Sequence, residues 1–262
     1  MQKALVRVVG WLAVAGLVVG AAAGCGPSDG QPDAGRDSSA SADPTASTAG
    51  VVHRSSGLYM YPRVKGAVLS YHNSLVDTRT TYTVTDVSAD AAGERVRVNE
   101  STTVGGQTTS VVRSYLTTAA GGLRIDPTAG LASSPGYKLV DRGEDYVVPP
   151  IAELEAGKTS TGKTFTKFTI NGQAGRVDTT YSIKGVGYRT VSVPAATVQA
   201  YGVALTSTSV TSELVGPKIP DVTGTVTYWI LPGFGAVKQE HDLSGLILTV
   251  DLIASSLPVA SA

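Results

Sequence analysis

The chain has 262 residues, of which 42% are hydrophobic and 16% are charged, and its 21 basic residues balance its 21 acidic ones. This balance excludes the basic excess that marks a nucleic-acid-binding domain, so we predict no nucleic-acid partner. One cysteine and three histidines exclude an intramolecular disulfide and provide few groups for a metal site or for acid–base catalysis.

The N-terminus has the pattern of an export signal. Lys3 and Arg7 give a positive start, and the stretch from Val8 to Ala23 contains no charged residue. This run of roughly 16 apolar residues is shorter than the run of about 20 that a spanning helix needs, and it ends in small residues. We therefore predict that residues 1–24 are a signal peptide.

A cysteine follows this segment immediately. The sequence Ala22-Ala23-Gly24-Cys25 resembles the lipobox of bacterial lipoproteins, in which the cysteine receives a diacylglyceryl group and becomes the mature N-terminus. The resemblance implies that Cys25 is the lipid-attachment residue and that the protein is lipid-anchored at the extracytoplasmic face of the cell membrane. Lipidation would also cover the single thiol, which is otherwise unpaired in an oxidising compartment. The alternative is that Cys25 is an ordinary residue near a conventional cleavage site.

A polar segment separates Cys25 from the rest of the chain. Residues 26–50 are dominated by Gly, Ser, Ala, Asp, Thr and Pro and include no aromatic or large aliphatic residue. Such a segment buries too little apolar area to offset the entropy lost on ordering. We predict that residues 25–50 form the lipidated cysteine and a disordered tether with a reach of roughly 25–30 Å.

The remaining residues, 51–262, are predicted to form a single β-rich extracytoplasmic domain. Apolar and polar residues alternate along much of this region. For example, Val96 and Val98 share one face of a strand while Arg95 and Arg97 share the other. Turn sequences such as Asn171-Gly172 separate the alternating runs at hairpin spacing.

These signals predict thirteen strands and at most two short helices. The helix candidates are Pro150–Ala156 and Ala195–Ala200. The predicted fold is mainly β, a long antiparallel meander that must bend into a strongly curved sheet or half-barrel to protect its apolar face. The predicted strands are Ala67–His72, Arg79–Ser88, Glu94–Val104, Thr108–Thr118, Gly122–Ile125, Tyr137–Val147, Thr164–Ile170, Arg176–Lys184, Tyr188–Val193, Ala200–Ser212, Thr223–Leu231, Ala236–Glu240 and Leu246–Ile253.

Three segments carry a resemblance to known exported proteins. They are Tyr61–Gly66 (YPRVKG), Val193–Thr197 (VPAAT) and Tyr228–Val237 (YWILPGFGAV). In this order they resemble the bacterial domain-of-unknown-function 3108-like group, whose fold is similar to the LolA/LolB and LppX/LprG lipoprotein carriers. The resemblance spans roughly residues 58 to 255 and implies a curved sheet whose hollow holds acyl chains. Turn and core roles are an alternative explanation of the third segment, with one of Tyr228 and Trp229 pointing inward.

Sequence patterns for catalysis or metal binding are weak. His53, His72 and His241 are far apart and form no metal-binding motif. Ser244 lacks the flanking pattern of a nucleophile elbow, and Gly157-Lys158-Thr159 lacks the glycine spacing of a phosphate loop. We therefore predict no catalytic residue, no metal site and no cofactor.

Two polar clusters lie where turns are expected. One is formed by Glu240, His241 and Asp242, and the other by Asp141, Glu144 and Asp145. We interpret both as solvated loop charge.

Two classes of function remain for this lipoprotein. The first is a non-catalytic domain that binds or carries a lipid or other apolar ligand in the hollow of the curved sheet. The alternative is an envelope protein-interaction module without a small-molecule ligand, and an enzyme ranks third. An open apolar hollow of a few hundred Å³ would favour the first class and a filled interior the second. The sequence assigns no ligand-binding residue and no protein partner.

Overall fold

The computed structural model describes residues 57–74, 78–104, 107–128, 137–213, 220–243 and 245–259. The predicted signal peptide, the lipobox residues Ala22, Ala23 and Gly24, the lipid-attachment residue Cys25 and the tether all lie outside the described residues. Within the described ranges, no helix is long and apolar enough to cross a membrane.

The described chain folds into thirteen strands and one short helix. The helix, α1, is Ile151–Glu155. The strands are β1 (Val68–Asn73), β2 (Thr78–Asp90), β3 (Gly93–Val104), β4 (Gln107–Thr118), β5 (Leu123–Ile125), β6 (Tyr137–Arg142), β7 (Tyr146–Val148), β8 (Ser160–Ile170), β9 (Gln173–Val193), β10 (Ala196–Ser212), β11 (Val222–Leu231), β12 (Gly235–Leu243) and β13 (Leu246–Ser255).

All thirteen strands belong to one antiparallel sheet, in the order β6-β8-β9-β10-β11-β12-β13-β1-β2-β3-β4-β5-β7. The first and last strands of the chain are neighbours, with Leu69 opposite Ser255. The sheet is curved but not closed into a barrel, because β6 and β7 end it at opposite edges. The predicted mainly β fold, a curved antiparallel meander, is confirmed.

Burial follows the predicted period of two. On β3, Val96 and Val98 are buried while Arg97 is exposed. On β8, the alternate residues Phe168 and Ile170 are buried. This alternation buries one face of each strand, β3 in a large apolar cluster and β8 in a separate small one, as a half-buried sheet requires.

Several predicted elements differ in extent from those observed. The predicted strand Tyr137–Val147 is divided into β6 and β7, because Gly143 to Asp145 are not in strand conformation. The predicted strands Arg176–Lys184 and Tyr188–Val193 are one continuous strand, β9. Its Gly185-Val186-Gly187 sequence, which resembles a turn signal, lies inside the strand at a β-bulge opposite Gly202 and Val203.

One helix prediction is confirmed and the other is wrong. The segment Pro150–Ala156 contains α1, with Ile151 and Leu154 buried. The segment Ala195–Ala200 is not helical, because β10 begins at Ala196, which pairs with Val193 across a tight turn. Val198 and Ala200 are buried while Thr197 and Gln199 are exposed, which is the periodicity of a strand.

The tip of the β9–β10 hairpin contacts another part of the sheet. The backbone N–H of Ala195 donates to the carbonyl of Leu252 on β13, at 3.2 Å. Val191 and Val198, which face each other in the hairpin, are buried. Because β13 is three strands away from β10 in the sheet order, the hairpin must bend over β11 and β12 to make these contacts. The central strands are therefore covered on both faces at this end.

Candidate functional site

The inner face of the curved sheet carries one large apolar cluster. It includes Leu69 on β1, Leu123 on β5, Ile183 on β9 and Leu252 on β13, whereas Phe168, Ile170 and Val177 at the β6–β8 end form a separate small cluster with Tyr137. The side chains of the first four of these residues are almost or entirely inaccessible to water. At these residues the interior is filled by the chain itself.

A segment outside the sheet contributes to this filling. We call residues 57–66, which precede β1, the strap. Leu58, Met60 and Tyr61 of the strap are buried and belong to the apolar cluster. The N–H of Leu58 donates to the carbonyl of Gly121 at 2.9 Å, and the hydroxyl of Thr117 donates to the carbonyl of Leu58 at 2.8 Å. These bonds fix the beginning of the strap at the β4–β5 turn.

The middle of the strap, at Met60, reaches β12. The N–H of Ala236, on β12, donates to the carbonyl of Met60 at 3.1 Å. Strand β12 is separated from β4 by β13, β1, β2 and β3 in the sheet order. Because Leu58 and Met60 are only two residues apart, the curvature of the sheet must bring the β4–β5 turn and β12 close together at the strap. The buried side chains of the strap place it on the inner face.

Beneath the strap lies a group of polar side chains that we call the polar cluster: Tyr61, Tyr82, Glu100, Arg113 and Tyr115. The Nε of Arg113 donates to a carboxylate oxygen of Glu100, and both side chains are buried. The ring of Tyr61 stacks on Tyr82 with 4.8 Å between centroids and meets the edge of Tyr115 at 5.1 Å. The strap thus places one of its own aromatic rings inside a charged, tyrosine-lined part of the interior.

Burial dominates the electrostatics of the polar cluster. Desolvation raises the pKa of Tyr61 and of Tyr82 well above the ordinary tyrosine value. The pKa of Tyr115 rises only to about 12, because desolvation is opposed by the positive charge of Arg113. Burial alone would lower the pKa of Arg113, but Tyr115 and the bond to Glu100 raise it above its ordinary value. The tyrosines stay neutral and the arginine stays charged at physiological pH.

A second polar region follows the inner face of β11 and β12. Gln239 Oε1 lies 3.3 Å from His241 Nε2, and both residues are buried. The hydroxyl of Tyr228, opposite Gln239 in the ladder, is buried and has no hydrogen-bond partner among the described residues. Desolvation lowers the pKa of His241 to about 4. His241 is therefore neutral at pH 7.

The interpretation of Glu240, His241 and Asp242 as solvated loop charge is wrong for two of the three residues. All three lie on β12, which is longer than predicted, so alternation rather than a turn decides their exposure. His241 is only 1% exposed and Glu240 is half-buried, whereas Asp242 is exposed and accepts a hydrogen bond from the N–H of Gly245.

Tyr228 and Trp229 take opposite faces of β11, as predicted. Tyr228 belongs to the inner face, opposite Val203 and Gln239. Trp229 packs under the bent hairpin, where the guanidinium of Arg189 lies 3.7 Å from the ring centroid. The indole N–H of Trp229 donates to Glu240 at 2.9 Å, and Arg189 donates to the same carboxylate at 2.6 Å. This arrangement fixes the hairpin and gives Trp229 a structural role.

Two strand edges, one along β4 and one along β6, are unpaired among the described residues. Strand β4 pairs with β5 only at Leu116 and Thr117, so the rest of that edge has no strand beside it among the described residues. Exposed aliphatic side chains stand on both sides: Val112 on β4 is 68% exposed, and Val140 on β6 is 65% exposed. We call this edge pair the seam.

Charged residues surround the β6 side of the seam. Arg142 donates to Asp145 at 2.5 Å and lies 3.5 Å from Asp126. Asp141 is exposed but lies on β6, and Asp145 is half-buried in its pair with Arg142, so the interpretation of Asp141, Glu144 and Asp145 as solvated loop charge holds fully only for Glu144. Desolvation, followed by the charge of Asp126, raises the pKa of Tyr137 to about 12.

The remaining candidates are not brought together. His72 lies on β1, whereas His53 and Ser244 lie outside the described residues. Lys158 follows α1 and binds Glu153 at 2.6 Å, so it takes part in a surface ion pair. Within the described ranges, no group of three His, Cys, Asp or Glu residues is arranged to hold a metal ion.

Two of the three resembling segments meet at the strap. Gly235, from Tyr228–Val237, lies directly against the backbone of Met60 and Tyr61. A side-chain Cβ at Gly235 would come within 2.8 Å of the Met60 carbonyl oxygen and 3.0 Å of the Tyr61 Cα. Gly235 also has a φ of 140°, which L-residues rarely adopt. The third segment, Val193–Thr197, forms the tip of the bent hairpin instead.

The sequence analysis does not predict the polar cluster, although the sequence contains a pattern that indicates it. Glu100 lies in phase with Val96 and Val98 on β3, and Arg113 lies in phase with Tyr115 on β4. A charged residue at an inward position of each of two neighbouring strands predicts a buried ion pair. The strap has no comparable signal, because its course depends on contacts far along the chain.

Comparisons with known proteins relate the chain to solved structures only. No family model and no curated protein matches it. A presumed lipoprotein from Parabacteroides distasonis is 14% identical, with a TM-score of 0.56 over 76% of this chain and 99% of that chain. A presumed exported protein with a YmcC-like fold from Bacteroides fragilis is 15% identical, with a TM-score of 0.55 and the same coverage of both chains. At these identities the likeness shows the fold alone. The resemblance to the domain-of-unknown-function 3108-like group and to the carriers stays a prediction.

Proposed function

We propose that this chain is a lipoprotein held at the extracytoplasmic face of the cell membrane through Cys25. The lipobox-like sequence before Cys25 and the short apolar run before it support this proposal. The two structures that share the fold were described as a presumed lipoprotein and a presumed exported protein, which agrees with a location outside the cytoplasm.

The anchoring proposal is tested by removing the thiol. A Cys25→Ser variant is expected to lose incorporation of labelled fatty acid and to move from the membrane fraction to the soluble fraction. Undiminished labelling of the variant would contradict the proposal, because Cys25 is the only cysteine in the chain.

We further propose that the domain binds an amphiphilic lipid without catalysing a reaction. The interior is filled by side chains of the chain itself at the apolar cluster, so a lipid enters this interior only by displacing part of the chain. The observation that carries the proposal is therefore the composition of the inner face. One continuous interior contains an apolar cluster, represented by Leu69 and Leu252, and the charged and hydroxyl groups of Glu100, Arg113 and Tyr115. An amphiphile needs apolar surface for its chain and polar groups for its head, and each buried methylene contributes roughly 0.8 kcal/mol.

Lipid binding is tested with the full mature chain after delipidation. Titration with a fatty acid that carries a solvent-sensitive fluorophore is expected to show saturable binding at micromolar concentration. A charged, water-soluble form of the same fluorophore is the control and is expected not to bind. Equal signals from the two, or no binding to protein whose circular dichroism shows an intact sheet, would reject the lipid proposal.

An envelope protein-interaction module is the second candidate, and the seam favours it. Val112 and Val140 expose large aliphatic surfaces beside unpaired strand edges, where an extended segment of another protein gains backbone hydrogen bonds. A photo-cross-linking residue at position 112, compared in intact cells with one at the exposed Val210 of β10, tests this function. A discrete adduct at position 112 alone would support it, and equal labelling at both positions would reject it.

A further inference from the structure

The strap is fastened differently from the strands around it. Among the described residues, the hydrogen bonds from the strap to the sheet are scattered along it, at Leu58, Met60 and Gly66. Arg63 also pairs with Glu94 on β3 at 2.9 Å, and Tyr61 bonds to Tyr82 and Tyr115. By contrast, each residue of β1 from Leu69 to Asn73 pairs with both β13 and β2. The strap is held by scattered hydrogen bonds and by the packing of its side chains, whereas β1 is held by a ladder on each side.

The side chains of the strap also have the character of a ligand. Leu58 and Met60 are apolar and enter the apolar cluster, and Tyr61 brings an aromatic ring with one hydroxyl into the polar cluster. The strap therefore presents to the inner face, within one short segment, an apolar part and a polar tip. These are the two parts of an amphiphile.

The position of the strap in the chain adds a further connection. Its first described residue, Gly57, is separated from Cys25 by the polar segment that we predict to be a tether. The strap is thus the part of the folded domain that is covalently nearest to the predicted membrane anchor. Its other end is fixed, because it continues directly into β1.

We infer that the strap occupies the lipid site, and that an acyl chain binds by displacing Leu58, Met60 and Tyr61 from the inner face. This inference rests on the proposed lipid-binding function and assigns its site. The displaced side chains leave apolar surface for the chain of the ligand. The departure of Tyr61 uncovers Tyr82, Tyr115 and the Glu100–Arg113 pair for the head group.

Gly235 provides the means to loosen the strap. A Cβ at this position meets backbone atoms of Met60 and Tyr61, so a Gly235→Ala variant forces the strap away from β12. Gly66 is a matched control, because it also has a positive φ, 86°, but nothing lies within 4 Å of its Cβ position. Both variants strain the backbone, and only Gly235→Ala pushes the strap off the sheet.

An engineered disulfide provides the means to hold the strap on the sheet. A Cβ at Gly121 lies 3.5 Å from the Cα of Gly57, so cysteines at these two positions come within bridging distance. The pair strains the backbone at Gly121, whose φ is 86°, and requires a small shift of the Tyr59 ring, which lies 3.0 Å from the Gly57 Cβ position. The variant Gly57→Cys with Gly121→Cys, made together with Cys25→Ser in the full mature chain, contains no other thiol. It leaves Leu58, Met60 and Tyr61 in place, and reduction of the same sample is its own control.

The experiment measures binding of the fluorescent fatty acid to these forms. We expect the oxidised double-cysteine form to bind at least tenfold more weakly than its reduced form. We expect Gly235→Ala to bind severalfold more tightly than the unmodified chain and Gly66→Ala to bind equally. Circular dichroism identifies any variant that has lost its sheet, and the two independent variants keep the inference testable if one fails to fold.

The outcomes separate the inference from the function on which it rests. Equal binding by the oxidised and reduced forms, with clear binding to the unmodified chain, would overturn the displacement of the strap and leave lipid binding intact. Absence of binding to every form, including Gly235→Ala, would overturn the lipid-binding proposal itself. Binding to Gly235→Ala alone would support displacement and show that the strap blocks the site.

Discussion

The apolar cluster and the polar cluster lie on the same inner face but stabilise the fold in different ways. Leu69, Ile183 and Leu252 are buried completely and need no particular partner, because apolar burial is non-directional. Glu100 and Arg113 are buried almost as deeply, yet each depends on the other for compensation of its charge. We therefore expect substitutions in the apolar cluster to lower the stability of the fold by graded amounts. In the polar cluster, loss of one charged member leaves the other charge buried without a partner.

The largest effect is expected from an Arg113→Met substitution. It leaves the carboxylate of Glu100 buried without its partner, so the free energy of unfolding should fall by about 3–5 kcal/mol. Urea denaturation followed by circular dichroism measures this change. The double variant with Glu100→Met removes both charges and is expected to recover most of the loss. A single-variant loss below about 1 kcal/mol would show that the pair is not compensated as described.

The apolar cluster is tested by Leu252→Ala on β13. The substitution creates a cavity in a filled interior and is expected to reduce the free energy of unfolding by about 3 kcal/mol. Ile247→Ala on the same strand is the matched control, because Ile247 is 69% exposed, and its effect should stay within about 0.5 kcal/mol. Similar losses from the two variants would contradict the assignment of faces on β13.

His241 provides a test that depends on pH. Burial lowers its pKa from 6.5 to about 4, so the unfolded chain binds a proton between these values while the folded chain does not. The contribution of His241 to the free energy of unfolding is therefore fully present above pH 6.5 and is lost as the pH decreases toward 4. Between pH 7 and pH 5 this loss amounts to about 2 kcal/mol.

The His241→Gln variant isolates this contribution, since it has no proton to bind. On acidification from pH 7 to pH 5, the unfolding free energy of the original chain should fall relative to that of His241→Gln. Parallel pH profiles for the two proteins would mean that His241 is not desolvated.

The smallest effect is expected from Tyr228→Phe, and it has the opposite sign. The Tyr228 hydroxyl is buried without a partner among the described residues, so its removal should raise the free energy of unfolding by up to about 1 kcal/mol. Tyr71→Phe is the control, because the Tyr71 hydroxyl donates to the carbonyl of Ala236 at 2.7 Å and its loss should be destabilising. Destabilisation by Tyr228→Phe would indicate that this hydroxyl has a partner.

Most of the predicted strands follow from the alternation of apolar and polar residues, and the wrong predictions have physical reasons. Val96 and Val98 identify β3 because their period alone determines which face is buried. The long strand β9 was divided at Gly185-Val186-Gly187, because a bulge and a turn both use glycine and only the pairing with β10 distinguishes them. The composition of the segment after Pro194 predicts a helix, but this segment forms the start of β10 because it pairs with β9 in a hairpin.

The candidate site was harder to predict because its parts are distant in sequence. Met60 meets Ala236 and Tyr61 meets Tyr115, and neither contact leaves a local pattern. His241 is assigned to a turn because the predicted strand ends at Glu240, whereas β12 continues to Leu243 and its alternation buries His241. Contacts of this kind become visible only when the order of strands in the sheet is known.

The pairing of β1 with β13 has a consequence for how this protein reaches its final state. Val68 and Ser256, which bond at the margin of this pair, are separated by 188 positions in the chain. Loop closure over such a distance makes folding slow, and the N-terminal strand has only β2 beside it until the last strand has been synthesised. For the export that we propose, we therefore expect the chain to stay unfolded and competent for translocation during synthesis, and to complete its sheet afterwards.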